Sequence, residues 1–213
     1  MPEQVIVLGA GGHGKVVADT VLSAGDLVLG FLDDSPEKVS VWDLPVLGSL
    51  DKWVEYACKA RFVFGLGDNA MRQRLANQMQ VSWYTAVHPT ACLGHGVTLG
   101  EGTVVLAEAV LNADSVVGSH CIINTGAVIE HDCRVGSYTH ISPRAVLCGT
   151  VVVGEMCHIG ACAVVRNNLR ICSRTVVGAG GVVIQDITEP GTYVGIPTRR
   201  LENRDYRKKG TLI

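Results

Sequence analysis

From residue 87 onward the chain counts in sixes. Val, Leu or Ile stands at every sixth position from Val87 to Val183, seventeen times with no slip in register. Four places after each comes a mostly small side chain, among them Ala91, Thr103, Ala109, Ser115, Cys121, Ala127, Cys133, Thr139, Ala145, Cys157 and Ala163. Gly often follows the aliphatic residue directly, as at Gly94, Gly100, Gly118, Gly136 and Gly154. A period of six suits neither an amphipathic helix, with about 3.6 residues per turn, nor the strict alternation of a half-buried strand. It suits a parallel β-helix, whose short strands lie on flat faces and turn a corner every six residues. The aliphatic side chains then fill the prism and the small ones fit beside them near the corners. Coils stack through backbone hydrogen bonds along the axis, so the interior is structural. Chemistry has to sit on the outward positions.

The first 85 residues follow another pattern. QVIVLG (4–9) reads as a buried strand, and G-A-G-G-H-G-K opens a helix running to about Ala24. Gly9, Gly11 and Gly14 satisfy G-x-G-x-x-G in the strand–turn–helix context the motif requires, with bare amides and a helix N-terminus aimed at phosphate. A second strand, LVLGFLDD, ends at Asp33 and Asp34, where an acid can hold a ribose diol. A third, FVFGLG (62–67), leads into the helix DNAMRQRLANQM. This length makes a mononucleotide half rather than a two-half dinucleotide fold, so a nucleotide attached to something other than nicotinamide fits better. The stretch SPEKVSVWDLPVLG after Asp34 carries no clear physical signal.

Composition narrows the classes. Aromatic residues make up only 5% against 47% hydrophobic, as a narrow aliphatic interior requires. A net charge of −2 and a pI near 6.4 give no electrostatic reason to expect nucleic acid or a membrane surface. No apolar run reaches the roughly 18 residues of a bilayer span, so a cytoplasmic protein without membrane insertion is expected. Eight cysteines without a CxxC pair argue against a disulfide framework. Cys121, Cys133 and Cys157 fall in the inward small slot, where they act as small hydrophobes rather than as a nucleophile.

Residues 87–197, ending in YVGIPTRR (193–200), resemble the left-handed β-helix hexapeptide-repeat acyltransferases, whose coils have three faces. GAGGHGKVVAD, FLDD, GLGDN and INTGAVIEHDCRVGSYTHIS together resemble one branch of them. That branch comprises the nucleotide-amino-sugar N-acetyltransferases and sialic acid O-acetyltransferase-like enzymes. The resemblance implies an α/β Rossmann-like half domain over 1–85 that binds a nucleotide sugar. It further implies an all-β left-handed parallel β-helix acetyltransferase domain over 86–200, a polar tail over 201–213, and a homotrimer. By the same resemblance, Gly11, Gly12, His13, Asp33, Asp34, Gly67, Asp68 and Asn69 contact the nucleotide sugar. His131 becomes the catalytic base beside a carboxylate at Asp132, with Asn124 opening the same motif. His140, with backbone groups near Ala161 and Ala179, belongs to the acetyl-CoA side. Acetyl-CoA is then a co-substrate, and no metal is implied.

The residues carry part of this without the resemblance. Acetyl transfer to an amine needs a base near neutral pKa and donors for the developing oxyanion. His131 stands two places after the inward Ile129, so it points outward near a corner, and Asp132 can fix its tautomer. His140 lies nine residues on, roughly 14 Å away across the prism at about 3.3 Å per residue. The two cannot share a small substrate within one chain, which places the active site between subunits. His158 should stack one coil beyond His140, while His88, His95 and His120 read as surface residues. Arg166, Arg170, Arg174, Arg199 and Arg200 could meet CoA phosphates or be solvated charges. The expected reaction is direct acetylation of a UDP-4-amino-4,6-dideoxy-N-acetylhexosamine. GDP- and dTDP-amino sugars, a sialic acid hydroxyl, a zinc-dependent hydratase and a non-catalytic nucleotide-binding scaffold stand as alternatives.

Overall fold

The structure, a computed structural model, describes residues 1–35 and 37–202, so the expected tail lies outside it from residue 203. The run VIVL makes β1 (Gln4–Leu8), whose last four side chains are fully buried. α1 (Gly12–Ser23) returns over the sheet and buries Val17, Ala18 and Val21, the spacing of one helical face. β2 (Leu27–Leu32) then pairs parallel with β1. The stretch that carried no signal forms a hairpin, β3 (Ser40–Val41) and β4 (Leu44–Gly48), which lays β4 parallel to β2. Apart from Val41, its residues are at best half-buried, so no period-2 pattern is imposed on them. β5 (Arg61–Phe64) completes the sheet in the order β3-β4-β2-β1-β5, and α2 (Asn69–Gln78) follows.

Seventeen two-residue strands, from Ala86–Val87 to Val182–Val183, make the parallel β-helix. The first fourteen each pair with the strand 18 residues on, as Val110 with Val128 and Val128 with Val146, and Val176–Val177 pairs with the terminal strand at Thr192–Tyr193. The strands form sheets of six and five, and one of eight that includes the terminal antiparallel pair Thr192–Val194 and Arg199–Arg200. Inward aliphatics from Val105 to Val183 are at most 3% exposed, while Leu93, in the uncovered first coil, is 39% exposed. Every sixth residue from Gly96 to Gly180 takes a left-handed φ between +55° and +75° to turn a corner. Glu, His, Tyr, Met and Cys hold several of these positions, a conformation that L-residues adopt at a cost.

The three faces differ in what they present outward. Ala86, Val104, Ile122, His140, His158 and Val176 line the eight-stranded face. The front unit packs on this face, and one core cluster joins Val5, Val17 and Val21 to Tyr84, Ala86, Val104 and Leu106. The six-stranded face shows a column of half-buried valines: Val110, Val128, Val146, Val164 and Val182. The third face is mixed, with Thr98, Val116, Arg134, Val152 and Arg170.

Candidate active site

His131 sits on the corner between the valine face and the third face, in the turn from strand Val128–Ile129 to strand Arg134–Val135. Its side chain is 58% exposed, and Nδ1 lies 2.7 Å from Asp132 Oδ2. The carboxylate accepts the Nδ1 proton, which leaves Nε2 with its lone pair in the neutral ring. This hydrogen bond also raises the His131 pKa above its ordinary value. The ring lies over Gly149, one coil on, where a Cβ would stand 2.6 Å from Nε2. Only glycine at 149 lets the base rest there.

A second group lines the seam between the two units. The His140 ring is 4.8 Å from that of His158 and 6.3 Å from that of His13, so three histidines run in a row. His140 Nε2 is 3.0 Å from the Asn124 amide, and His158 Nε2 is 2.8 Å from Ser142 Oγ. His13 Nε2 and His140 Nδ1 are buried with no partner among the described residues. Burial first, and then neighbouring positive charge, brings His13 down to about 4 and His140 to about 3; His158 is lowered the same way. All three are neutral at pH 7.

The glycine motif performs two distinct tasks. Gly9 turns the chain at φ +102°, and a Cβ on Gly14 would stand 2.0 Å from the Gly9 carbonyl oxygen. Gly11, Gly12 and Gly67 instead have nothing within 4 Å of a Cβ position among the described residues, which leaves their backbones open to a ligand. Asp33 accepts from the amides of Ala10 (2.6 Å) and Ser35 (2.9 Å) and pairs with Lys38 at 3.1 Å. Burial alone would raise its pKa, and these bonds hold it low. Asp34 accepts from the Leu50 amide at 2.8 Å. Both acids thus hold loops in place, a task the sequence did not announce. Asp68 caps α2 through the Met71 amide, and Asn69 donates to the Cys157 carbonyl across the seam at 2.9 Å. A pocket of about 290 Å³ opens between Gly67, Asp68 and Asn69 on one wall and Met156, His158 and Arg174 on the other.

Ala161 and Ala179 stack on the corner between the eight-stranded and valine faces, joined by the Gly180 amide donating to the Ala161 carbonyl. Within one chain, then, His13, Asn69, Asn124, His140 and His158 come together, while His131–Asp132 and the Ala161–Ala179 corner lie on the two edges of the valine face. His120 is corrected: it is no surface residue but 3% exposed, packed against Phe64, Trp83 and Tyr138, with burial bringing its pKa to about 4. Its corner position pointed outward, and the docked front unit covered it. Arg72 was missed altogether, because nothing in a polar helix marks one arginine as 1% exposed. No three metal-ligating side chains converge among the described residues.

The chain is similar to known proteins along both units. The family profile described as the PglD N-terminal domain matches residues 4–79, and that of the bacterial transferase hexapeptide (six repeats) matches 114–149. The acetyltransferase domain of PglB from Neisseria gonorrhoeae is 32% identical, with a TM-score of 0.89 over 93% of this chain and 100% of that one. PerB from Caulobacter crescentus, solved with CoA and GDP-perosamine, is 37% identical, with a TM-score of 0.88 over 93% of this chain and 97% of that one. The chain belongs to the PglB/PerB family of hexapeptide-repeat acetyltransferases. Within this family fold, the front unit and the β-helix are matched together rather than one by one. The UDP-N-acetylbacillosamine N-acetyltransferase of Bacillus subtilis is 34% identical over 112 residues, 49% of this chain and 52% of that protein. An uncharacterized protein of Acanthamoeba polyphaga mimivirus is matched over 24% of its length, so the chain spans about half or less of these curated relatives.

Proposed function

We propose that the chain transfers the acetyl group of acetyl-CoA to the 4-amine of a nucleotide-linked amino sugar, a UDP-4-amino-4,6-dideoxy-N-acetylhexosamine, with His131 as general base. The observation that carries this reading is the His131–Asp132 pair: an exposed imidazole, its tautomer fixed by a carboxylate at 2.7 Å, over a glycine that leaves room for it. As the amine attacks the thioester carbonyl, the N–C bond forms and Nε2 takes the amine proton. Asp132 stabilises the imidazolium. The C–S bond then breaks, and the departing thiolate receives the proton from His131.

The nucleotide end fits the front unit, where Gly11, Gly12 and Gly67 bare their backbones beside His13 and Asn69. Asp33, Asp34 and Asp68 shape those loops. PerB is solved with GDP-perosamine and the Bacillus subtilis relative is named for UDP-N-acetylbacillosamine, which favours a nucleotide sugar as acceptor. The acetyltransferase domain of PglB from Neisseria gonorrhoeae has also been solved with acetyl coenzyme A, which supports the donor. Ala161 and Ala179, with His140 on the adjoining eight-stranded face, would line the acetyl-CoA side. The valine column supports a homotrimer, since an apolar stripe of this kind is stable when covered by copies of itself around a threefold axis. Its two edges carry His131 and the Ala161–Ala179 corner, so neighbouring subunits would complete each site.

The test follows thiol release from acetyl-CoA with UDP-, GDP- and dTDP-4-amino sugars and a sialic acid, for wild type and His131→Ala. Rapid release with the UDP sugar, abolished in the variant while nucleotide binding persists, is expected. No release with any acceptor from a folded trimer would sink the reading.

A further inference from the structure

Arg72 lies one turn into α2 and is 1% exposed, the largest fully buried side chain among the described residues. Burying a guanidinium is costly unless every N–H finds an acceptor. Here all five do. Nη1 donates to the carbonyls of Leu66 (3.0 Å) and Gly67 (2.9 Å), and Nη2 to Asn69 Oδ1 (2.8 Å) and the Tyr138 carbonyl (3.1 Å). Nε donates to the His120 carbonyl at 3.1 Å. None of the five acceptors is a carboxylate, so the arrangement is not an ion pair. It ties one loop to one face.

We propose that Arg72 is the positioning residue that sets the nucleotide-sugar cleft, by hanging the Gly67–Asp68–Asn69 loop on the β-helix. His120 and Tyr138 are 18 residues apart and occupy the same corner of successive coils, so the planar fork spans two coils at once. Asn69, fixed by Nη2, passes the link to a further coil through the Cys157 carbonyl. The loop is therefore pinned at successive coils, and Met156 and His158, in the opposite wall of the 290 Å³ pocket, lie on the coil that Cys157 belongs to. Pocket width follows from these bonds. A lysine has three donors on a single nitrogen and cannot reach acceptors on both sides of the seam. The same charge acts on the histidine row: after burial, Arg72 helps hold His13, His140 and His158 neutral.

The inference rests on reading the 66–69 loop as part of the nucleotide-sugar site, and the test separates the two. Steady-state kinetics on Arg72→Lys and Asn69→Ala should give a KM for the nucleotide sugar raised about tenfold or more, with the KM for acetyl-CoA within about twofold. Amide hydrogen exchange at residues 66–70 should quicken in both variants, whatever the activity. Arg72→Met, if it folds, should in addition move the acid limit of nucleotide-sugar binding to higher pH. Equal changes in the two KM values, or unchanged exchange at 66–70 in folded variants, would overturn the assignment. A wild type without turnover condemns the acetyl-transfer reading alone, since the exchange measurement still decides what Arg72 holds.

Discussion

Acid should destabilise this protein through its buried histidines, and His120 isolates the effect. Its ring is 3% exposed, stacked on Tyr138 at 5.2 Å and edge-on to Trp83 at 4.6 Å, with Nδ1 unpartnered among the described residues. Burial, and then the Arg72 charge, brings its pKa from 6.5 to about 4. The unfolded chain therefore takes up a proton near pH 6.5, while the folded chain resists it until about pH 4. The contribution is fully present above 6.5 and lost as pH falls towards 4. At pH 4.5 the difference amounts to about 2.5 kcal/mol for one such histidine. His13 and His140 act in the same direction, so the loss is a large share of the ~5–15 kcal/mol that holds a domain folded. His120→Phe keeps a flat ring among Phe64, Trp83 and Tyr138 and removes the proton site. Urea unfolding followed by tryptophan fluorescence at pH 7 and 4.5 measures both proteins. Wild type should lose about 2 kcal/mol more than the variant over this interval. Losses equal to within about 0.5 kcal/mol would refute the argument.

Three further outcomes follow from the geometry. Gly149→Ala should lower kcat by about tenfold or more, because its Cβ displaces the His131 ring, while the melting temperature moves by less than about 2 °C, since that ring is exposed and free to shift. Undiminished turnover would mean that the ring's resting place is irrelevant. Asp132→Asn should shift the acid limb of the pH–rate profile to lower pH: the carboxylate raises the His131 pKa, and the base works only when neutral. An unmoved limb would remove Asp132 from that role. Burial pushes Cys121 up to about 12 and Cys133 and Cys157 to about 11, so these thiols should resist a thiol reagent at pH 8 until the protein is denatured. Mass mapping that finds native Cys121 labelled early would contradict its inward placement.

How far the sequence could be read depended on which way a residue faces. The hexad dictated the β-helix because two of every six side chains must fill a shared interior, and that demand repeats at fixed spacing from Val87 to Val183. Gly9 and Gly14 were legible because a close strand–helix approach excludes a side chain. His131 and Asp132 are sequence neighbours, so their hydrogen bond was written into the chain. Outward positions obey no such demand. Whether one is solvent, seam or subunit contact is settled only when coils stack and the front unit docks on one face. That docking covered His120, brought His13 beside His140, and gave Arg72 acceptors from two units. Asp33 and Asp34 looked like ribose ligands because strand-end acids often are, yet their backbone bonds depend on loops that carry no pattern. Local periodicity fixes what is repeated, and tertiary contact alone decides which unrepeated side chains meet.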